Sequence, residues 1–282
     1  MNVYVGLDIG GTKLMAAAYD EKDNELQRVK YPTPTPYLEC LDLLHKMVSE
    51  VAGKNSILGI GAAIGGPLNS EKGIVSPLHQ TEWRNIPLKD IMESKWNCPF
   101  YVDIDTNVAA LGEYHMGGYK EKYFLYLTLS TGMGGGYLIN GKVYQGKAHP
   151  EVAHQTINYR CKNPERITCA CGVPDCLEAI VSGRGIQRIY KKSAEKLLPE
   201  EWDEVAYNLG QGLRNIAAIL SPEIIIFGGG VSVGGGIDFI NSAKKYMNEH
   251  CKLVVPPELK LSCLGYDTAL LGAVYIAKGK HL

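Results

Sequence analysis

The chain opens with an apolar, β-rich run, VYVGLDI, which breaks at the turn GGT and resumes as KLMAAAYD. A polar turn, DEKDNE, leads to a third strand, so the first thirty residues predict three strands joined by two turns. From about 36 to 53 apolar positions recur at helical spacing, and Gly53 stands where such a helix would end. ILGIGAAIGGPL predicts a buried strand running into a Gly-Pro turn, PFYVDID another strand, and TNVAALGEYHMGG a helix closed by two glycines. The second half begins alike. KYFLYLTLS and GYLING predict strands around the turn TGMGGG, with a hairpin at GKVYQG. Helices are predicted near 183–195 and 201–220, then a buried strand, EIIIF. GGGVSVGGG follows, leading to a helix that ends near 249, and TALLGAVYIA predicts a last helix. The pattern is α/β throughout. Two turns of similar design, DIGGTK and LSTGMGGG, each join strand to strand and predict a β-hairpin module present once in each half.

With 282 residues the chain can form one large or two medium domains. Its 45% apolar and 21% charged residues are ordinary for a soluble globular protein. A formal net charge of -1 provides no basic field to hold nucleic acid or an anionic membrane. The longest apolar runs, such as EIIIFGGGV, fall far short of the roughly 20 residues of a membrane helix. MNVYVGLDIGG lacks a basic segment followed by an apolar one, so no signal peptide is expected and the expected location is cytoplasmic.

In a reducing compartment disulfides are a poor account of eight cysteines. Cys40, Cys98, Cys161, Cys251 and Cys263 are scattered and expected as small buried apolar residues. Cys169, Cys171 and Cys176 lie within eight residues, so their thiolates can converge on one metal ion, with a fourth ligand from elsewhere.

Glycine-rich turns after strands let phosphate approach the backbone. Three occur here: Gly10-Gly11-Thr12-Lys13, Ser130-Thr131-Gly132-Met133-Gly134 and Gly228-Gly229-Gly230. They fit neither the Walker pattern nor a dinucleotide fingerprint. A strand–turn–strand phosphate loop in each half points to the actin-like ATPase architecture.

LDIGGTK, DTNVAALGE at 105–113, LSTGMGGG at 129–136, PEVAH at 150–154, CACGVPDCLE at 169–178 and PEIIIFGGGV at 222–231 follow one another in order. From about residue 3 to 278 the chain resembles the ROK family (repressor, open reading frame, kinase), and the CxCGxxxCLE string is the most specific part. The resemblance implies an actin-like, ribonuclease H-like fold of two α/β lobes, here 1–116 and 117–282, with a structural zinc loop. The last helix, about 267–279, would be free to pack back on the first lobe. In kinase members it implies transfer of the ATP γ-phosphoryl group to a sugar hydroxyl, the 6-OH of a hexose.

Residue by residue, the resemblance implies His154, Cys169, Cys171 and Cys176 as zinc ligands, a closed tetrahedral set suited to a structural ion. It makes Asp105 the general base, with Asp103 the rival carboxylate. Glu151, His154, Glu178 and the turn at Gly66 become the sugar contacts. Asp8 becomes the Mg²⁺-associated carboxylate. Gly10, Gly11, Thr12, Lys13, Thr131 and Gly132 become the phosphate contacts, and Gly228, Gly229 and Gly230 flank the nucleoside. The expected partners are sugar and ATP, in a homodimer.

Three departures from the family pattern bear on specificity. Ile104 replaces an Asn before the catalytic Asp, Leu78 replaces the Asn of a PN pair, and Ala153 replaces the glycine of GEIGH. The first two remove expected sugar contacts. The expected substrate is thus glucose-like or an N-acylhexosamine, and LHQTEW at 78–83 faintly resembles N-acylmannosamine kinases. A helix-turn-helix regulator is not expected, because the first loop begins at residue 8. A sugar sensor without catalysis is the remaining alternative.

Overall fold

The computed structural model describes residues 1–78 and 80–281, so His79 of the LHQTEW stretch lies outside the described residues. Contacts divide the chain into two units, Met1–Gly118 with Asp267–Leu282, and Tyr119–Tyr266.

In the first unit, alternation sets the sheet. Val3, Val5, Leu7 and Ile9 bury one face of β1 (Asn2–Ile9). Antiparallel partners β2 (Lys13–Asp20) and β3 (Glu25–Pro32) follow. Helix α1 (Tyr37–Ala52) lays Cys40, Leu44, Met47, Val48 and Val51 on that core and ends at Gly53, whose φ of 56° suits a residue without a Cβ. Strand β4 (Ser56–Ile64) is buried along its second half. Three short strands come next: β5 (Leu68–Asn69), β6 (Ile74–Val75) and β7 (Ile86–Pro87). Then come α2 (Leu88–Trp96), β8 (Phe100–Ile104) and α3 (Asp105–Met116). The main sheet runs β3-β2-β1-β4-β8, with β1, β4 and β8 parallel.

The second unit repeats the hairpin start with β9 (Tyr123–Leu129), β10 (Met133–Ile139) and the short β11 (Lys142–Val143). Helices α4 (Leu177–Val181), α5 (Gly183–Tyr190) and α6 (Pro199–Ile219) follow. They are succeeded by β12 (Ile224–Gly228), α7 (Gly230–Glu249) and β13 (Glu258–Leu261). The sheet order is β11-β10-β9-β12-β13. Helix α8 (Thr268–Ala277) belongs to the first unit, where it packs on α3, β4 and β1.

Several expectations change. The helix expected at 183–195 stops at Tyr190, because Lys191 takes the left-handed conformation and ends it. Of the scattered cysteines only Cys40 is fully buried. Cys98, Cys161 and Cys251 are partly covered and Cys263 is exposed, so the expectation of burial fails there. Residues 68–96, where the pattern predicts few elements, hold β5, β6, β7 and α2, and β13 also lies where the pattern predicts none. Trp83 is 1% exposed and packs edge-on to Tyr37, while Glu82 accepts the Tyr37 N–H at the start of α1. Those two residues of LHQTEW therefore fasten α1. Ala153 is fully buried, so that departure is a core substitution.

Candidate active site

Ile9, Ile64 and Ile104 pair across β1, β4 and β8. The next residues, Gly10, Gly65 and Asp105, therefore leave the parallel strands at one edge of the sheet, the C-terminal edge where open α/β sheets bind ligands. Asp8, Gly66 and Asp105 are all brought to that edge of the first unit.

Asp105 is the first residue of α3 and is exposed. One of its carboxylate oxygens accepts the Thr106 N–H at 2.8 Å. Asp103 is occupied differently: its Oδ1 accepts the Ile104 N–H at 2.7 Å and the Asn107 Nδ2–H at 3.3 Å, which ties it to the helix start. The position of α3 is fixed by contact with α8. A Cβ on Gly112 would lie 2.7 Å from the Gly272 nitrogen, and one on Gly272 would lie 1.9 Å from the Val108 carbonyl oxygen. Two glycines thus allow helix axes closer than any larger residue permits, and α3 is held by backbone against backbone.

The turn at residues 10–13 is closed by Gly10 N–H to the Lys13 carbonyl at 3.1 Å. Thr33 holds it from β3's end. Its hydroxyl donates to the Gly10 carbonyl at 2.7 Å and its N–H to the Thr12 carbonyl at 3.2 Å. In a trans peptide the N–H points opposite to the carbonyl. Fixing those two carbonyls toward Thr33 therefore turns the Gly11 and Lys13 N–H groups the other way. Burial pushes the Asp8 carboxyl up to about 6, partly offset by the Lys13 charge. A carboxylate enclosed in this way is stabilised by a cation, which fits a divalent-ion partner of bound phosphates.

The turn at 130–132 follows the same logic in the second unit. Ser130 N–H donates to the Gly132 carbonyl at 2.8 Å. The Ser130 and Thr131 carbonyls accept from Gly183 N–H at 2.7 Å and Arg184 N–H at 3.0 Å, at the start of α5. Ser182 caps α5 by accepting the Gly185 N–H at 3.1 Å. The Thr131 and Gly132 N–H groups consequently face away from α5. The third glycine run lies beside it. Gly229 has φ 86°, and a Cβ there would lie 2.4 Å from the Leu129 carbonyl oxygen. Gly228 pairs with Thr128. Unlike the other two turns this one opens onto a helix, α7, which begins at Gly230.

The cysteine string and His154 come together as one group. One ligand atom from each of His154, Cys169, Cys171 and Cys176 lies within 4.8 Å of all the others. Cys171 and Cys176 Sγ are 3.3 Å apart, and Cys169 Sγ is 3.5 Å from His154 Nδ1. Three thiols and one imidazole nitrogen converging in this way are a donor set that suits a tetrahedral zinc ion. Cys161 is not in the group. The backbone N–H of Val173 and the two neighbouring thiols bring Cys171 down to about 7, while burial raises Cys176. The imidazole divides its two nitrogens. Nδ1 faces the sulfurs, and Nε2 faces Glu178 at 3.5 Å and Glu151 at 3.9 Å. Glu178, one residue into α4, also abuts the second glycine turn, since a Cβ on Gly132 would lie 2.8 Å from its Oε1. The His154–cysteine group, Glu151, Glu178 and the second glycine turn are thus contiguous within the second unit.

Sequence patterns passed over the residues that hold the turns, Thr33, Gly183 and Arg184. Ser182, an N-cap type three residues before Gly185, was the available signal for the last two.

Residues 4–280 match the model of the ROK family, and the chain belongs to that family. It is 31% identical over 280 residues to a glucokinase of Streptomyces coelicolor, covering 87% of each chain. It is 31% identical over 297 residues to a fructokinase of Lactococcus lactis, covering 98% of each. Among solved structures it resembles a ROK family glucokinase from Streptomyces griseus in complex with glucose and AMPPNP. That match has a TM-score of 0.80, 26% identity, and coverage of 98% of this chain and 99% of that one. The fold is that of the actin-like ATPases.

Proposed function

We propose that the chain is an ATP-dependent sugar kinase that transfers the γ-phosphoryl group to the 6-OH of a hexose. The observation that carries this is the pair of carboxylates where β8 passes into α3: Asp103 accepts from Ile104 and Asn107, and Asp105, which accepts from Thr106, is exposed at the sheet edge where Gly10 and Gly65 emerge. In the proposed reaction the sugar hydroxyl gives its proton to the Asp105 carboxylate as its oxygen attacks the γ-phosphorus. The bond from that phosphorus to the bridging oxygen breaks, and ADP leaves. Glu151, Glu178 and His154 Nε2 accept from or donate to the sugar hydroxyls, with Gly66 bringing backbone close. Gly10 to Lys13, Thr131 and Gly132 hold phosphates, and Gly228 to Gly230 lie by the nucleoside. Asp8 would hold Mg²⁺, which supplies charge neutralisation to the phosphates. The four-ligand zinc, when bound, cross-links the loop carrying His154 to α4 carrying Glu178. Operation as a homodimer in the cytoplasm belongs to the same proposal and is supported by family membership alone. Among the described residues no helix is long and apolar enough to cross a membrane.

The finer proposal is that a substituted hexose, N-acetylmannosamine among them, is preferred to glucose. It is supported by the apolar border of the Gly65-Gly66 turn. Ile104 lies against Gly66, and Leu78, 68% exposed, donates its N–H to the Gly66 carbonyl at 3.0 Å.

The test is coupled ADP release with glucose, mannose, fructose, N-acetylglucosamine and N-acetylmannosamine, for wild type and Asp105→Asn. Loss of about 10²- to 10⁴-fold in kcat, with unchanged thermal stability, is expected. A variant retaining more than about a tenth of wild-type kcat removes Asp105 from the role of base.

A further inference from the structure

Along α6 every residue from 205 to 217 is buried except Gln211, Arg214 and Asn215. These three stand at i, i+3 and i+4 and share one face of the helix. Gly210 and Gly212 flank the first of them and carry close packing on either side. A Cβ on Gly210 would lie 2.7 Å from the Tyr246 Cβ of α7, and one on Gly212 would lie 2.3 Å from Leu177 of α4. The polar face is therefore held in place by its neighbours.

It lines a cavity of about 290 Å³ in the second unit, with Asn158 from the loop after His154 and His250 from the end of α7. The cavity is far too polar to be a packing defect. Its lining is one guanidinium, one imidazole and three carboxamides, with no carboxylate. Among the described residues Arg214 has no carboxylate partner. Gln211 Nε2 is buried without a hydrogen-bond acceptor, which a ligand in the cavity would supply. None of the five residues belongs to the active site described above.

An unpaired guanidinium fork matches an oxyanion, and carboxamides match hydroxyls as both donors and acceptors. At the lower end of ligand-pocket volumes, the space suits a body of monosaccharide size. We propose that this cavity is a second small-molecule site, one that takes an oxyanion borne on a small polyhydroxylated body. The anionic group sits on Arg214 and His250, and the hydroxyls on Asn158, Gln211 and Asn215. A sugar phosphate and a sugar acid share this chemistry.

Calorimetric titration of the full chain with glucose 6-phosphate, gluconate, inorganic phosphate and glucose distinguishes the sources. Each is run on wild type, Arg214→Gln, Arg214→Lys and the loop variant Asn158→Ala. Either sugar anion is expected to bind wild type more tightly than inorganic phosphate does. Arg214→Gln is expected to weaken it about 10- to 100-fold and Asn158→Ala about fivefold. Arg214→Lys is expected to fall between Arg214→Gln and wild type. Binding of neutral glucose, and kcat at saturating sugar, are expected to stay unchanged in all three variants. Asn158 is exposed, so its substitution keeps the test open should the Arg214 variants fail to fold. Equal affinity of wild type, Arg214→Gln and Asn158→Ala for both sugar anions overturns the site. Inorganic phosphate binding as tightly as the sugar anions overturns the polyol part of the proposal. These outcomes do not depend on phosphoryl transfer, so they are separable from failure of the kinase proposal.

Discussion

The Cδ1 atom of Ile104 lies 3.6 Å from the point a Cβ on Gly66 would occupy. The last residue of β8 thus covers the turn that follows β4 with hydrocarbon, at a position where the family pattern has an asparagine. A sugar hydroxyl facing this wall would lose water and gain no partner, at roughly 1–3 kcal/mol. Ile104→Asn is therefore expected to raise kcat/KM for glucose about tenfold, near one hydrogen bond's worth, and to narrow the advantage of substituted hexoses. The measurement is kcat/KM for each sugar. If wild type already uses glucose best and the substitution changes nothing, position 104 does not touch the sugar.

Two glycine substitutions separate site effects from fold effects. A Cβ at Gly132 meets the Glu178 Oε1, the far end of a side chain that can swing aside. Gly132→Ala should leave Tm nearly unchanged and raise the sugar KM several-fold, because Glu178 is displaced from His154 Nε2. A Cβ at Gly272 meets the Val108 carbonyl, which is backbone inside α3. Gly272→Ala should destabilise the protein by about 1–3 kcal/mol, as overpacking does. It should also lower kcat, since α3 carries Asp105. The checks are thermal denaturation and full Michaelis curves. Equal Tm losses for the two variants would contradict this assignment.

Elemental analysis of dialysed protein is expected to find about one zinc per chain. Cys171→Ser should reduce both zinc content and Tm, because a closed four-ligand site couples metal binding to folding. The sugar KM should rise with zinc loss, since His154 turns one nitrogen to the sulfurs and the other to Glu151 and Glu178. Metal-free protein of wild-type stability and sugar affinity would end the zinc assignment.

Much of this was legible in the sequence because it rests on local rules. The hairpin pairs β1–β2 and β9–β10, the helix ending at Gly53 and the spacing of the cysteines are each written within a few residues. The fourth member of the group, His154, lies 15 residues before Cys169 and comes only with the family resemblance. What the pattern missed depends on tertiary partners. Strands of two residues, such as β5, β6 and β7, have no period to detect. Thr33 is an unremarkable threonine until the fold lays it across the first glycine turn. Cys263 is exposed in the segment after β13. Nor does spacing alone separate Asp103 from Asp105. In the structure Asp103 accepts from Ile104 and Asn107, and Asp105 from Thr106.

Asp8 gives a stability signature independent of turnover. Its carboxyl is raised from the ordinary carboxylate range to about 6, chiefly by burial, with Lys13 opposing. Between the ordinary value near 4 and 6 the folded state holds this proton more firmly than the unfolded chain. Stability contributed by Asp8 therefore falls as pH rises through that window, and the full cost of the buried charge is present above it. The shift corresponds to at most about 3 kcal/mol, and the solvent contact that Asp8 retains reduces it to about 1–2 kcal/mol. Asp8→Asn keeps the shape and removes the charge. Without divalent ions or nucleotide it should unfold at a Tm a few degrees above wild type at pH 7.5, and near the wild-type Tm at pH 4. Mg²⁺-dependent ATP binding should be lost in the same variant, since the carboxylate that would hold the ion is gone. The measurement is Tm against pH for both proteins, with ATP titrations at pH 7.5. A variant less stable than wild type at pH 7.5 would mean that the Asp8 charge is already compensated in the free protein, by Lys13 or another group, and the argument for a cation partner there would fail.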